Sequence, residues 1–302
     1  MPFKQSVHIS KDLEKISLKY RNDAYIGDMV APKVPVKHMT DQYYMYGKEN
    51  FILPETRRAH NAPSNEADYM VTTGAYECVK HSIKKFVSDD EVANSDPGLK
   101  PLVDATEFAT DIILLRKEYE IMKVFDTGAS WSGESSIGAA AKWTTNTTTT
   151  SPLPYFFTAV STVIAAAAKH PNLAVIAFPV WQALKDHVSV VERVKYTSDV
   201  LTEKVFASLF DIPKVVVGKA IYNTAVRGVT EVPGHVWADN CLVMYNEPNP
   251  GIRKTSAGYN FVQQGYDMRV KKWYDSELEG TWVAVSCSFA PKVISADCGY
   301  TA

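Results

Sequence analysis

Apolar positions along this chain change their spacing several times, and each change marks an element. Between Asp104 and Phe125, the residues Ala105, Phe108, Ile112, Leu115, Tyr119 and Met122 follow one another three or four apart. That spacing predicts one amphipathic helix, roughly 30 Å long at about 1.5 Å per residue. Its polar side would carry Glu107, Asp111, Lys117, Glu118 and Lys123. Asp104 with Glu107 forms a capping pattern just after Pro101, and Gly128 is placed to end the helix as its C′ residue. Upstream, Tyr76 to Val87 has strand character, and Ser88-Asp89-Asp90-Glu91 reads as a capping box opening a short helix. Downstream, the pattern shortens. An Ala-rich helix is expected from Pro154 to Lys169, stopped by Pro171, and a wholly apolar strand from Leu173 to Phe178. Helices follow at Val180–His187, with Trp181 and Leu184 inward, and at Leu201–Phe210; a β-rich segment runs from Lys214 to Tyr222. Strands are expected at Cys241–Tyr245, Met268–Tyr274 and Thr281–Phe289, the last two joined by a hairpin turn at Glu277–Gly280. The chain is therefore a mixed α+β protein.

Two stretches resist this treatment. Asp12 to Lys19 could make two helical turns, but Ala31-Pro32-Lys33-Val34-Pro35-Val36 forces an extended path, because each proline fixes its own φ and restricts its predecessor. The first ~45 residues thus read as an arm lying along something else. Tyr43, Tyr44 and Tyr46 suit a strand or an interface. Residues 51–75 are polar and turn-rich, and a long excursion without periodicity is uncommon in a compact domain unless it has a function. A weakly structured stretch, Gly128 to Ser151, ends in the Thr-rich run Thr144–Thr150.

Composition adds mainly exclusions. The 302 residues are 46% hydrophobic and 22% charged, ordinary for a folded protein. The net charge is −2, and no long window carries a basic stripe of the kind a sequence-reading nucleic-acid binder needs. No stretch is long and apolar enough to cross a bilayer, nor does Met1–Lys19 resemble a signal peptide, so a soluble chain made in a cytoplasm is expected. Cys78, Cys241, Cys287 and Cys298 lack zinc-knuckle spacing and are expected as free, buried thiols.

Patterns with catalytic potential are few and incomplete. Asp126-Thr127-Gly128-Ala129 matches the tetrapeptide of aspartic proteases, but it follows a charged helix where that chemistry needs a strand and a second facing carboxylate. Gly133-Glu134-Ser135-Ser136 lacks the second glycine of a nucleophile elbow. Gly218-Lys219 is not a phosphate loop. The seven histidines His8, His38, His60, His81, His170, His187 and His235 are scattered. His235 could pair with Asp239 but reads as a loop histidine, and Asp89-Asp90-Glu91 needs no cation to explain it. Aromatics and cations are not interleaved, save Trp273 beside Lys271 and Lys272, which an alternating strand explains. No catalytic, cofactor or metal residue is expected, and no cofactor.

An arm, a polar excursion, a spine-like helix and an α/β unit without chemistry resemble, in that order, the major capsid protein of tailed bacteriophages, the Hong Kong ninety-seven type fold. Arg57-Arg58-Ala59 with Pro63 resembles the basic turn of that family's extended loop, and Tyr76-Glu77-Cys78 before Ser88-Asp89-Asp90-Glu91 its return strand and next helix. Ala105 with Leu115, Arg116 and Glu118 fits the spine helix; Trp143 and Pro154 resemble the tryptophan and proline before the following helix. Asn172–Phe178 with Trp181, Leu184 and His187, then Leu201–Phe210, Ile212–Val217 and Ala220–Tyr222, resemble the strands and helices that follow. Ala296-Asp297-Cys298-Gly299-Tyr300 resembles the C-terminal end. The resemblance implies an N-terminal arm (1–47), an extended loop (48–84), a peripheral domain with the spine helix (85–151), an axial domain (152–266) and C-terminal strands returning to the peripheral domain (267–302). It implies a non-enzymatic coat subunit of the virion. Pentamers and hexamers would form an icosahedral shell around double-stranded DNA held without sequence specificity, with no membrane. A separate scaffolding protein, a portal and a decoration protein are the further partners implied. Two alternatives stay open: another phage structural protein such as a tail tube or adaptor, and a hydrolase with a dispersed site.

Overall fold

The structure, a computed structural model, describes residues 25–46, 48, 51–95, 99–135, 143, 151–195, 201–225, 228–237, 239–251 and 254–301. The helical turns expected at Asp12–Lys19 and the run Thr144–Thr150 lie outside them. The chain begins with a single turn, α1 (Gly27–Val30), then β1 (Lys33–Val36), the hairpin strands β2 (Thr40–Tyr46) and β3 (Val71–Glu77), β4 (Val79–Ser88), α2 (Asp89–Ala93) and the long α3 (Pro101–Phe125). After β5 (Gly133–Glu134) come α4 (Leu153–Ala167), β6 (Leu173–Ala177), α5 (Phe178–Asp186), α6 (Val188–Val194), α7 (Glu203–Leu209), β7 (Lys214–Gly218), β8 (Ile221–Asn223), β9 (Pro233–His235) and β10 (Cys241–Met244). The chain closes with β11 (Gly258–Gln263), β12 (Arg269–Asp275), β13 (Gly280–Val293) and β14 (Gly299–Thr301).

Two five-stranded sheets carry the fold. The first is built on β13, the 14-residue strand. β4 pairs along one of its edges, while β12 and then β11 pair end to end along the other, with β1 parallel to β11 outside them. Between Val262 and Arg269 the chain spends seven steps against three on β13. Gly265 (φ 79°) and Met268 (φ 56°) take the left-handed turns that bulge requires. The second sheet runs β5-β14-β10-β6-β7. Its β6 and β7 are parallel, connected through α5, α6 and α7. This sheet is buried on both faces: Ala174, Ile176, Val215 and Val217 face the aromatic cluster of Phe156, Trp181, Phe206 and Phe210, and Leu173, Val175, Val216 and Leu242 face Phe125, Trp131 and Trp237. Burial on both sides is why Leu173–Ala177 is an unbroken apolar run.

Several expectations need correction. α3 begins at Pro101, not at Asp104, because proline is preorganised for the first helical position and loses no hydrogen bond there. Its buried stripe is Ala105, Ala109, Ile113, Ile121 and Phe125, one position round from the one expected, and Phe108 is exposed. The small Ala105 and Ala109 let the helix lie close on β13, where Val283 and Val285 meet it. Lys117 and Glu118, expected in solvent, are buried. Gly128 is not a C′ residue; Asp126 caps the helix and Gly128 opens a short 3-10 turn. α4 ends at the left-handed Ala168 (φ 52°), before Pro171 can act. The segment Lys214–Tyr222 is two strands, broken after Gly218. Gly258–Gln263 joins the first sheet, and Gly299–Thr301 joins the second. The Ser88 cap is as expected, its hydroxyl accepting from the Glu91 amide at 3.1 Å.

The last residue of β7 packs against a buried indole. A Cβ on Gly218 would stand 2.5 Å from Cγ of Trp237, a fully buried indole whose Nε1 is already bonded. Gly218→Ala should therefore destabilise the fold by about 1–3 kcal/mol through overpacking. Denaturant titration of the variant checks this, and an unchanged midpoint would refute the contact.

Candidate interaction surfaces

Residues with catalytic potential are dispersed by the fold. Asp126 sits at the C-terminus of α3, where its carbonyl accepts from Asn240 Nδ2 at 2.9 Å. Burial pushes its carboxyl up to about 7, aided by the charge of Asp239 and opposed by a hydrogen bond from Asn240. Asp239 itself is exposed, and no second carboxyl shares a proton with Asp126 among the described residues. His235 does not bond Asp239; its ring lies 5.5 Å from Phe178 and its buried Nδ1 has no partner. His187 is fully buried and caps α6, its Nδ1 accepting from the Ser189 amide at 3.3 Å. All four cysteines are free and buried, and burial raises each thiol above its ordinary range. Among the described residues no group of three His, Cys, Asp or Glu side chains could hold a metal ion, and no helix is long and apolar enough to cross a membrane.

The structure instead concentrates unusual chemistry where the arm meets the body. Glu118, buried in the middle of α3, accepts from the amides of Ile26 (3.1 Å) and Gly27 (2.7 Å) through one side of α1. It also accepts from Trp237 Nε1 at 2.7 Å, which belongs to the loop after β9. Beside it the buried Lys117 ammonium contacts Asp28. Asn246 completes the junction by donating to the Val30 carbonyl at 2.6 Å. Burial pushes Glu118 up, while its three donors pull the other way. A Cβ at position 27 would stand 2.6 Å from Glu118 Oε2, so any larger residue there would have to displace the carboxylate from its donors. This junction escaped sequence reasoning because its partners are 91 to 119 residues from Glu118.

Beyond the junction the chain runs out along the β2–β3 hairpin. The base of the β2–β3 hairpin packs on the first sheet, with Tyr43 and Tyr76 stacked on Phe261. Lys48 is tethered to Asp297 at 2.9 Å. Past that point the chain is largely exposed, and Tyr69 stacks on Tyr46 within the hairpin itself. Phe51 is 84% exposed and Leu53 98%, and Ile52, Tyr69 and Met70 are exposed with them. The loop's hydrogen bonds are internal, as between Asn65 Nδ2 and the Glu55 carbonyl at 2.6 Å. The excursion expected from residues 51–75 is thus the outer part of a hairpin that carries exposed apolar side chains, of a kind that marks interaction surfaces when contiguous.

No protein-family model matches the chain. It is 25% identical over 298 residues to the major capsid protein of Burkholderia phage BcepMu, covering 95% of this chain and 94% of that one. Among solved structures, a phage-related protein from Bordetella bronchiseptica RB50 superposes with a TM-score of 0.72 at 21% identity, over 93% of this chain and 92% of the other. The capsid of cyanophage P-SCSP1u does so with a TM-score of 0.63 at 12% identity, over 95% and 89%.

Two titrations test the local chemistry. Because the folded pKa of Asp126 is raised, its ionisation opposes folding: stability should fall as pH rises from about 4 to about 7 and then level off. Asp126→Asn should therefore raise the melting temperature at pH 8 and leave it nearly unchanged at pH 4, as read by calorimetry at both values. Glu118→Ala should cost about 3 kcal/mol or more by leaving three donors unpaired. Denaturant unfolding, with proteolysis of residues 25–36 as a second readout, would show it.

From fold and near-full-length sequence similarity together, the chain resembles the major capsid proteins of tailed phages and has the fold of their coat subunits.

Proposed function

We propose that this chain is a major capsid protein, a structural subunit that self-assembles into the icosahedral shell of a phage virion. The observation that carries the proposal is the hairpin beyond β2 and β3, where Phe51, Ile52 and Leu53 are largely exposed. Burying such side chains is worth about 1.5–3 kcal/mol each, so a neighbouring copy is the covering that a coat subunit would supply. Similarity to phage coat proteins over 95% of the chain supports the same reading.

On this reading α3 and the first sheet form the peripheral domain, with the extended loop from about residue 48 to 84 reaching across a neighbour. The unit beginning near residue 152, with the second sheet, forms the axial domain and meets its copies at the centre of pentamers and hexamers. The shell encloses double-stranded DNA. Scaffolding, portal and decoration proteins would be separate chains, and the chain itself carries out no catalysis.

Assembly of purified protein, followed by size-exclusion chromatography and electron microscopy, tests the proposal. The intact chain should give capsomer rings or closed shells. Replacing residues 51–70 by a short turn should leave the melting temperature of the isolated subunit within a few degrees and abolish shells. A discrete monomer or dimer under every assembly condition would overturn the proposal.

A further inference from the structure

The Glu118 carboxylate is divided between two segments, and one of its oxygens serves both. Oε1 accepts from the Ile26 amide at 3.1 Å and from Trp237 Nε1 at 2.7 Å, while Oε2 accepts from the Gly27 amide at 2.7 Å. Two consecutive amides, one on each oxygen, fix both the position and the plane of the carboxylate. The indole therefore meets an acceptor that the arm root has already aimed. α1 also has holds on the body that do not pass through this group. Asn246 Nδ2 donates to the Val30 carbonyl at 2.6 Å, and Lys33, just after α1, lies 3.7 Å from Asp28 and 3.2 Å from Asp267.

On the other side of the carboxylate, Trp237 holds the base of the β8–β9 hairpin. Its ring packs on Gly218 at the end of β7, and the amide of Val236 beside it donates to the Ala220 carbonyl at 2.9 Å. Tyr222 in β8 meets Tyr119, the neighbour of Glu118 on α3, with ring centres 5.9 Å apart. The hairpin thus rests on α3 through two successive residues, and the first of them is the one that grips the arm.

We infer that Glu118 couples the arm root to the β8–β9 hairpin, so that loosening the arm loosens the loop carrying Trp237, and the reverse. When Ile26 and Gly27 withdraw, Oε2 is left without a donor in a low-dielectric site, which is costly. The carboxylate recovers that loss by turning toward water, and turning takes Oε1 out of line with the indole. When the indole withdraws, Oε1 keeps only the longer of its two bonds, and the carboxylate is free to leave the amides. The coupling has to be equal in both directions, because it is one free energy. Any contact that seats or pulls the segment leading to Ile26 is therefore felt at the hairpin. The inference concerns a single folded subunit and does not rest on the coat reading.

Hydrogen exchange of the full-length chain, read at residues 26–31 and 236–240, tests this, with the Trp237 indole N–H followed by NMR. Asn246→Ala and the milder Lys33→Gln loosen the arm root without removing any donor of Glu118. Each should speed exchange at 26–31 and also, by about fivefold or more, at 236–240, with a shift of the indole signal. In a Glu118→Gln background one acceptor oxygen replaces two, and the same substitutions should act at 26–31 alone. Trp237→Phe should in return speed exchange at 26–31 by a like factor. Val163→Ala, a truncation in the cluster on the other face of the second sheet, should change neither segment relative to the rest of the chain. Ile26, Val30 and Trp237 also share one apolar cluster, so transmission that survives Glu118→Gln would assign the coupling to packing and overturn the inference. Faster exchange at 26–31 with 236–240 and the indole unchanged, slower exchange at 236–240, or no response of 26–31 to Trp237→Phe would each overturn it as well.

Discussion

The buried carboxylate of Glu118 is the point on which the rest of the subunit depends. A carboxylate removed from water is costly unless its oxygens are filled, and here two backbone amides and an indole fill them. The three donors come from two distant parts of the chain: two from the arm root, and one from the loop after β9 that packs on Gly218. One side chain on α3 thereby fixes the start of the described arm, the axis of the longest helix and one face of the second sheet. Removing any partner leaves polar groups unpaired inside a low-dielectric junction, which is why the arrangement holds a single geometry.

That anchoring explains how the chain can hold surface outside itself. The first sheet uses one face for α3 and part of the other for the hairpin base, through Tyr43, Tyr76, Phe261 and Ala290. Rigid attachment at the base and a tether from Lys48 to Asp297 leave residues 51–70 projecting with their apolar side chains bare. A subunit that folds on its own gains nothing from such a loop. A subunit of a closed shell gains burial at every copy, and the stabilisation grows with the number of neighbours by mass action.

Much of the fold was legible in the sequence, because the signals were local. Leu173–Ala177 is apolar at every position, Trp181 and Leu184 are one helical turn apart, and Ser88 precedes Glu91 by three; each predicts what is found. The face of α3 was misjudged because large residues dominate a periodicity count, whereas the close approach to β13 is made by Ala105 and Ala109. β11 carries the fully buried Asn260 amid its apolar residues, and that polar position hides the strand. The Glu118 junction had no local signature at all, because it is assembled from segments far apart in the chain, Ile26 and Gly27 on one side and Trp237 on the other. The motif Asp126-Thr127-Gly128 shows the converse, a local match that the fold places at a helix end with no facing copy.

Hydrogen–deuterium exchange across residues 51–70, in isolated subunits and in assembled shells, tests most directly whether the hairpin tip is completed by its neighbours. In subunits the amides of this loop should exchange at close to the rate of an unprotected chain, and in shells they should be strongly protected while α3 and β13 change little. Equal exchange in both forms, or protection already present in the isolated subunit, would contradict the claim that the tip is built for another copy of the chain.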